Sequence, residues 1–96
     1  MANYVLLTSW TDQGARAAKD TVKRVGAARQ AWEKLGVKIK DFYWTMGQHD
    51  CCVIVEAPDD ETMTAASVQL GTLGNAKTQT LRAFNESEME KILKKI

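Results

Sequence analysis

The sequence between Asp41 and Ala57 has the apolar and polar pattern of a β-hairpin. Two apolar runs, residues 42–46 and residues 51–55, flank the short polar connection Gly47-Gln48-His49-Asp50. A loop of this length with a glycine is a common hairpin connection, and Gly47 can adopt the positive φ that a tight reversal requires. We therefore predict two antiparallel strands joined by a loop at residues 47–50.

The first third of the chain predicts a strand followed by a helix. Residues 4–10 are rich in strand formers, and the segment from Thr11 to Gly14 ends this strand with capping side chains and a glycine. Helix formers follow over residues 15–35, and Gly36 ends the helix. Because Asp20-Thr21 is a second capping sequence, the helix has either a separate first turn or a kinked start. An apolar stripe at helical spacing is expected to lie on the sheet: Val22, Val25, Ala28, Trp32 and Leu35.

The segment after the hairpin predicts a second helix. Residues 57–61 combine a proline, which ends the strand ladder, with acidic side chains that favour the positive end of the helix dipole. We expect this helix to run to Leu70, with Gly71 and Gly74 providing the stop and the turn.

The last third of the chain predicts one more strand and one more helix. Residues 76–84 alternate as a half-buried strand does. Residues 85–88 resemble a capping box in which asparagine replaces the usual Ser or Thr. The final helix then carries one apolar stripe: Met89, Ile92, Leu93 and Ile96.

The order β-α-β-β-α-β with an added C-terminal helix is the split βαβ plan of ferredoxin-like domains. We therefore predict an α+β sandwich: one domain over residues 1–96, with a four-stranded antiparallel sheet and two helices on one sheet face. The other face then needs a cover, so we predict a homodimer. A domain of 96 residues is too small to bury a deep cavity by itself, so a sizeable ligand site is expected to need a second copy.

Charge and composition narrow the function classes. The net charge of +1 creates no long-range field that favours nucleic acid. Arg16, Lys19 and Lys23, with Arg24 and Arg29 nearby, fit a solvated helix face, so we predict no nucleic-acid partner. No apolar run approaches the roughly 20 residues of a membrane span, and the first residues lack a signal-peptide layout. We expect a cytoplasmic protein without a membrane partner.

His49 is the only histidine, so it is the first candidate for acid-base chemistry. Two interpretations stay open for it: a catalytic residue, or a turn residue that forms only local hydrogen bonds. Asp50 has the same two interpretations, as a carboxylate partner or as a cap for backbone N–H groups in the turn.

The two cysteines, Cys51 and Cys52, are adjacent in a predicted strand and point to opposite faces, which excludes an ordinary disulfide between them. His49 and Cys51 share a face, but Zn²⁺ takes about four convergent ligands, and the chain has no CxxC and no second histidine. We therefore expect no metal and no cofactor.

The predicted pairing gives the sheet an apolar core face and a mixed open face. The core face comprises Phe42, Trp44, Val53 and Val55. The mixed face comprises Asp41, Tyr43, Thr45, Cys52, Ile54 and Glu56, together with Thr78, Thr80 and Arg82 of the last strand. Arg82 and Glu56 are then expected to pair, or to flank a pocket for a small polar or anionic molecule. The same face also has the composition of a wet, self-complementary dimer interface.

Four segments of the chain together resemble the GYD domain family: YVLLTSWTDQG at residues 4–14, FYWTMGQHD at 42–50, VIVEAPDD at 53–60 and LRAF at 81–84. The glycine, tyrosine and aspartate that name the family fall on Gly47, His49 and Asp50, with histidine in place of tyrosine. The resemblance implies a ferredoxin-like subunit of the dimeric α/β-barrel type. It does not imply one activity, because the function of that family is essentially unassigned and the architecture serves oxygenases, haem-handling proteins and sensors alike.

Three function classes follow from these observations. The first is a homodimer that binds a small ligand at the sheet face or the dimer interface. The second is a small enzyme of oxygenase or isomerase type that uses His49 as its acid-base residue, and the third is a purely structural dimerisation module. The candidate ligand-binding residues are Tyr43, Thr45, His49, Asp50, Glu56, Thr80 and Arg82.

Overall fold

A computed structural model of the chain describes all residues from 1 to 96. Its strands are β1 Ala2–Trp10, β2 Lys38–Trp44, β3 Cys51–Ala57 and β4 Ala76–Ala83. Its helices are α1 Asp12–Arg16, α2 Thr21–Glu33, α3 Asp60–Thr72 and α4 Glu86–Leu93, with a short 3-10 turn at Ala18–Asp20.

The four strands form one antiparallel sheet in the order β2-β3-β1-β4. This order, with a helix between β1 and β2 and another between β3 and β4, is the ferredoxin-like plan. The α+β fold and the added C-terminal helix are therefore confirmed. The central strands are β1 and β3, so the two edges of the sheet belong to the hairpin strand β2 and to β4.

The connection from β1 to β2 has the break that Asp20-Thr21 predicts. Thr11 caps α1, because its hydroxyl accepts a hydrogen bond from the N–H of Gly14 at 3.2 Å. The short 3-10 turn then separates α1 from α2. At the other end of α2 the N–H groups of Gly36 and Val37 donate to the carbonyls of Glu33 and Trp32, a Schellman motif in which Gly36 has a φ of 81°.

The caps of α3 and α4 also follow the sequence. The Asp59 carboxylate accepts from the N–H of Thr62 at 2.8 Å, and Asn85 and Glu88 form a reciprocal capping box. Helix α3 ends at Thr72, two residues beyond the predicted Leu70, so Gly71 lies inside the helix, and the chain turns at Gly74 as predicted. A glycine on an exposed helix surface is tolerated, because hydrogen bonds of the helix do not need a side chain.

The hairpin loop is longer than predicted. Tyr43 lies opposite Cys52 instead of Ile54, so the loop extends over residues 45–50, and the N–H of Thr45 donates to the carbonyl of Asp50 at 2.8 Å. The register has moved by two residues, and an even shift keeps every side chain on its predicted face. A bulge at Lys40 then keeps Ile39 in the core.

The core lies between the sheet and the helices α2 and α3. Buried and half-buried residues alternate along β3, and the same alternation runs through the middle of β1. Both helices therefore cover one face of the sheet, as the split βαβ plan requires. The buried apolar cluster comprises Tyr4, Leu6, Trp32, Val37, Ile39, Cys51, Val53, Val55, Ala57, Met63 and Ala66.

The predicted assignment of the two faces of β4 is wrong. Thr80 and Arg82 of β4 lie opposite Leu6 and Tyr4, so they lie on the helix-covered face and not with Glu56. Thr78 lies on that same face, and Leu81 lies on the open one. Both alternating faces of β4 carry polar residues, so the alternation does not show which face the helices cover, and only the pairing with β1 decides it.

The apolar stripe of α2 is also displaced from the prediction. Val22 and Leu35 are exposed, because Val22 lies on the outer side of the first turn and Leu35 lies beyond the last turn. The side of the helix that meets the sheet layer carries Thr21, Arg24, Val25, Ala28, Ala31 and Trp32.

Candidate functional site

The open face of the sheet carries two rows of side chains across the strands. In the first row Val5 lies between Ile54 and Leu81, and in the second row Leu7 lies between Cys52 and Gln79. Leu81 is exposed, while Val5, Leu7, Cys52 and Ile54 are half-buried. Since α2 and α3 cover the opposite face, this largely apolar surface lies toward solvent.

The C-terminal helix carries a second exposed apolar surface. Ile92 is half-buried, but Met89, Leu93 and Ile96 of the predicted stripe are exposed, as is Phe84 just before the helix. The helix makes few contacts with the rest of the fold. Its N-terminal end is fixed near the open face, since the amide of Asn3 donates to the Glu88 carboxylate at 3.1 Å. The stripe is formed as predicted, but the chain does not bury it.

His49 and Asp50 lie at the loop end of the sheet beside the end of β1. The Asp50 carboxylate accepts a hydrogen bond from the backbone N–H of Trp10 at 2.8 Å, and the Asp50 N–H donates to the carbonyl of Thr8 at 2.8 Å. His49 Nδ1 lies 3.5 Å from the hydroxyl of Ser9, and Thr45 donates its hydroxyl to the His49 carbonyl at 2.6 Å. Asp50 therefore holds the loop against β1, and its carboxylate is not directed at the imidazole.

Arg82 lies at the opposite end of the sheet, in a cluster on the helix-covered side. Its guanidinium lies 5.5 Å from the centre of the Tyr4 ring and 4.5 Å from that of Phe84. It also lies 4.0 Å from the Asp60 carboxylate and 3.9 Å from that of Glu88. Tyr4 donates its hydroxyl to Asp60 at 2.5 Å, and burial together with this bond raises the pKa of Tyr4 to about 12.

The predicted pair between Arg82 and Glu56 is wrong. Strand β1 lies between their two strands, and Glu56 instead pairs with Lys40 at 3.0 Å on the open side. The seven candidate residues therefore occupy three places. Tyr43 and Glu56 lie on the open face, Thr45, His49 and Asp50 lie in or beside the loop, and Thr80 and Arg82 lie on the helix-covered face. Thr80 there lies 3.2 Å from the hydroxyl of Ser67 on α3.

The chain also forms a cavity that was not predicted from its sequence. It has a volume of about 430 Å³ and lies between α2, α3 and the helix-covered face of the sheet. A sealed void of this size would cost on the order of 10 kcal/mol at about 24 cal/mol per Å³, which equals the whole stability of a small domain. This cavity opens to solvent, and its size corrects the expectation that a domain of 96 residues is too small for a deep cavity of its own. The cue in the sequence is the set of small residues Ala27, Ala28 and Ala31 on α2.

The thiol of Cys51 is buried at the floor of this cavity, whereas Cys52 lies on the open face. Burial, with a smaller contribution from the Asp50 carboxylate, raises the pKa of Cys51 to about 11, so this thiol is protonated at neutral pH. No group of three or more His, Cys, Asp or Glu side chains converges in a geometry that could hold a metal ion. None of the helices is long and apolar enough to cross a membrane.

Comparison with known proteins identifies the family. The family model of the GYD domain matches residues 4–93, which is nearly the whole chain. A curated relative from Thermus thermophilus, named glutamine synthetase and cystathionine beta-lyase binding protein, is 30% identical over 90 residues, covering 93% of this chain and 95% of the relative. The chain belongs to the GYD domain family.

A solved structure shares the fold. The crystal structure of a protein from Thermus thermophilus matches 88% of this chain and 95% of its own, with a TM-score of 0.56 and 24% sequence identity. This match supports the α+β architecture described above.

Proposed function

We propose that this GYD-domain protein is a cytosolic, self-associating adaptor whose open sheet face contacts a second copy and whose exposed surfaces bind other proteins. The observation that carries the proposal is the row of Leu81, Val5 and Ile54, which lies across three strands without a helix above it. A contiguous apolar surface of this kind is typical of a protein-protein contact.

The size of the face supports a contribution of α4 to the proposed contact. Four strands spaced about 4.8 Å apart, with about seven residues rising about 3.3 Å each, give a flat face of roughly 400 Å². A stable interface buries about 800 Å² on each partner. The exposed stripe of Met89, Leu93 and Ile96 on α4 supplies further apolar area.

Size-exclusion chromatography with light scattering tests the self-association. Val5→Lys places a charge in the centre of the row and should convert the dimer to monomers. Val22→Lys is the matched control, because Val22 is 68% exposed on the outer side of α2 and should leave the dimer intact. A monomeric wild-type protein, or a Val5→Lys variant that stays dimeric, would show that this face is not the contact.

The name of the relative suggests which partners to test. We propose that this chain, like that relative, binds enzymes of amino-acid metabolism, with glutamine synthetase and cystathionine β-lyase as the first candidates. Sedimentation velocity with each purified enzyme from the same host should show a complex. Absence of a complex with both enzymes would contradict the partner assignment, while the dimer is tested separately by Val5→Lys.

A second candidate function is the binding of a small polar ligand between two packed sheets. Tyr43 is 57% exposed on the open face, and the row of Asp41 and Ile54 separates it from the ion pair of Glu56 and Lys40. Native mass spectrometry of gently purified protein should then show a constant extra mass, and Glu56→Ala should remove it while the dimer persists. Bare subunits would favour the adaptor without this ligand.

A further inference from the structure

We propose that the cavity beneath α2 and α3 is a binding site for a small apolar molecule with one anionic head group, which Arg24 recognises. The site belongs to a single subunit and lies on the opposite side of the sheet from the proposed dimer contact. The proposed binding site can therefore be tested independently of the adaptor function.

The cavity has the shape and lining of a ligand site. Its volume of about 430 Å³ lies within the range of roughly 300–1,000 Å³ that is usual for small-molecule pockets. Of its 19 lining residues, 14 are hydrophobic. The sheet provides the floor, including Leu6, Ile39, Cys51 and Val53, and these side chains are fixed in the buried core.

The space above the floor remains unfilled because the side chains that face it from α2 and α3 are too small to occupy it. The wall from α2 includes the small residues Ala27, Ala28 and Ala31 beside Val25 and Trp32, and α2 makes few contacts with α3. Leu70 and Leu73 of α3 line the other side. An apolar molecule in this space would contact rigid sheet residues below it and helix residues on both sides, and it would displace poorly bonded water.

Arg24 supplies a fixed positive charge in the lining. Its guanidinium donates to the carbonyls of Ala17 at 2.5 Å and Gly14 at 3.3 Å, which orient the group without neutralising it. No carboxylate lies within 4.0 Å of its nitrogens. The nearby Asp50 carboxylate is held by the N–H of Trp10.

Only two of the five N–H groups of Arg24 donate to these carbonyls, so its planar fork retains donors for an anion such as a carboxylate or sulfonate. Thr21 and Asn75 line the same cavity and provide uncharged hydrogen-bonding groups. The predicted ligand class is therefore an amphiphile with a compact apolar body and one anionic group, such as a medium-chain or aromatic carboxylic acid.

Fluorescence titration with 1-anilinonaphthalene-8-sulfonate provides the test, followed by displacement with decanoate and with decanol. Trp10 and Trp32 line the cavity and should transfer energy to the bound probe. Wild-type protein should bind the probe and release it to decanoate at lower concentration than to decanol. Failure of the folded wild-type protein to bind either the probe or decanoate would overturn the proposal.

Two pairs of variants separate the apolar body from the head group. Ala28→Phe fills the cavity and should weaken probe and decanoate binding at least tenfold, whereas Ala65→Phe on the exposed side of α3 should not. Arg24→Met should weaken decanoate about tenfold and leave decanol unchanged, whereas Arg16→Met at an exposed position should change neither.

Circular dichroism confirms that each variant is folded, and Ala31→Leu replaces Ala28→Phe if the larger side chain prevents folding. Probe binding that survives a folded, filled cavity would show that the probe sits elsewhere and would overturn the site. An equal loss of decanoate and decanol in Arg24→Met would overturn the assignment of the head group.

Discussion

Gly14 lies directly against the backbone carbonyl of Asn75, so that a Cβ at position 14 would come within 2.0 Å of the Asn75 oxygen. The same two segments are joined by Thr11, whose N–H donates to the Asn75 carbonyl at 3.2 Å and whose hydroxyl donates to the Gly74 carbonyl at 2.5 Å. The absence of a side chain at position 14 thus allows α1 to pack directly against the turn before β4.

Gly14→Ala should therefore destabilise the protein by about 2 kcal/mol or more, the scale of an overpacked site, because the clashing atom is backbone and cannot rotate away. Gly26→Ala is the matched control on α2, where a Cβ meets nothing within 4 Å. It should stabilise the protein by about 0.5–1 kcal/mol through helix propensity. Urea unfolding measures both, and equal effects of the two substitutions would contradict the close approach.

The two interpretations of the loop residues predict different behaviour. Asp50→Ala should cost about 2 kcal/mol, since the N–H of Trp10 loses a charged acceptor, and Asp50→Asn should restore part of that loss. His49→Gln should change the free energy of unfolding by less than about 0.5 kcal/mol, because its side chain has one long contact to Ser9. Chemical denaturation measures both, and a large effect of His49→Gln with none from Asp50→Ala would reverse these roles.

The buried hydroxyl of Tyr4 predicts sensitivity to alkali. Its pKa is raised from 10.0 to about 12, so the folded state favours the neutral phenol. The contribution of this shift to the free energy of unfolding is fully present below pH 10. It is lost as the pH rises from about 10 to about 12, because the unfolded state releases the proton first.

Tyr4→Phe should accordingly reduce the loss of stability between pH 9 and pH 12. At neutral pH it should cost about 1 kcal/mol, because the exposed Asp60 carboxylate can turn to water. Tyr43→Phe on the exposed surface is the control and should have less than about 0.5 kcal/mol effect. Thermal unfolding across this pH range measures the difference, and parallel curves for wild type and Tyr4→Phe would count against a raised pKa.

The cap of α3 predicts sensitivity to acid. Hydrogen bonding from the backbone N–H of Thr62 lowers the pKa of Asp59 below its usual value of 3.8. The charged carboxylate therefore stabilises the folded state above that value, and the contribution disappears as the pH falls through the lowered pKa.

Asp59→Asn keeps a side-chain oxygen that can cap the helix but removes the titrating charge. The variant should be slightly less stable than wild type at pH 7, and the difference should shrink below about pH 4, the range in which a free carboxyl titrates. Asp59→Ala should be the least stable of the three at pH 7. The melting temperature at pH 7 and pH 3 checks this, and a difference that grows in acid would contradict the sign.

Most of the local structure could be predicted from the sequence because it depends on neighbouring residues. Gly36, Asp59 and the capping box of Asn85 and Glu88 act within one turn of a helix, so they mark helix ends directly. The two faces of the hairpin were also predicted correctly although the loop was too short, since the error in register was two residues and side chains repeat every two. The sequence alone thus determined the order of the elements, their caps and the α+β class.

The tertiary structure decided which residues that are distant in the sequence lie next to each other. The phase of β4 depends on its pairing with β1, and this placed Arg82 against Tyr4 and left Leu81 on the open face. The cavity depends on the distance between two helices that are far apart in the chain, and on the carbonyls of Gly14 and Ala17 that orient Arg24. Such contacts carry no local pattern in the sequence, because each partner is selected by the packing of the whole fold.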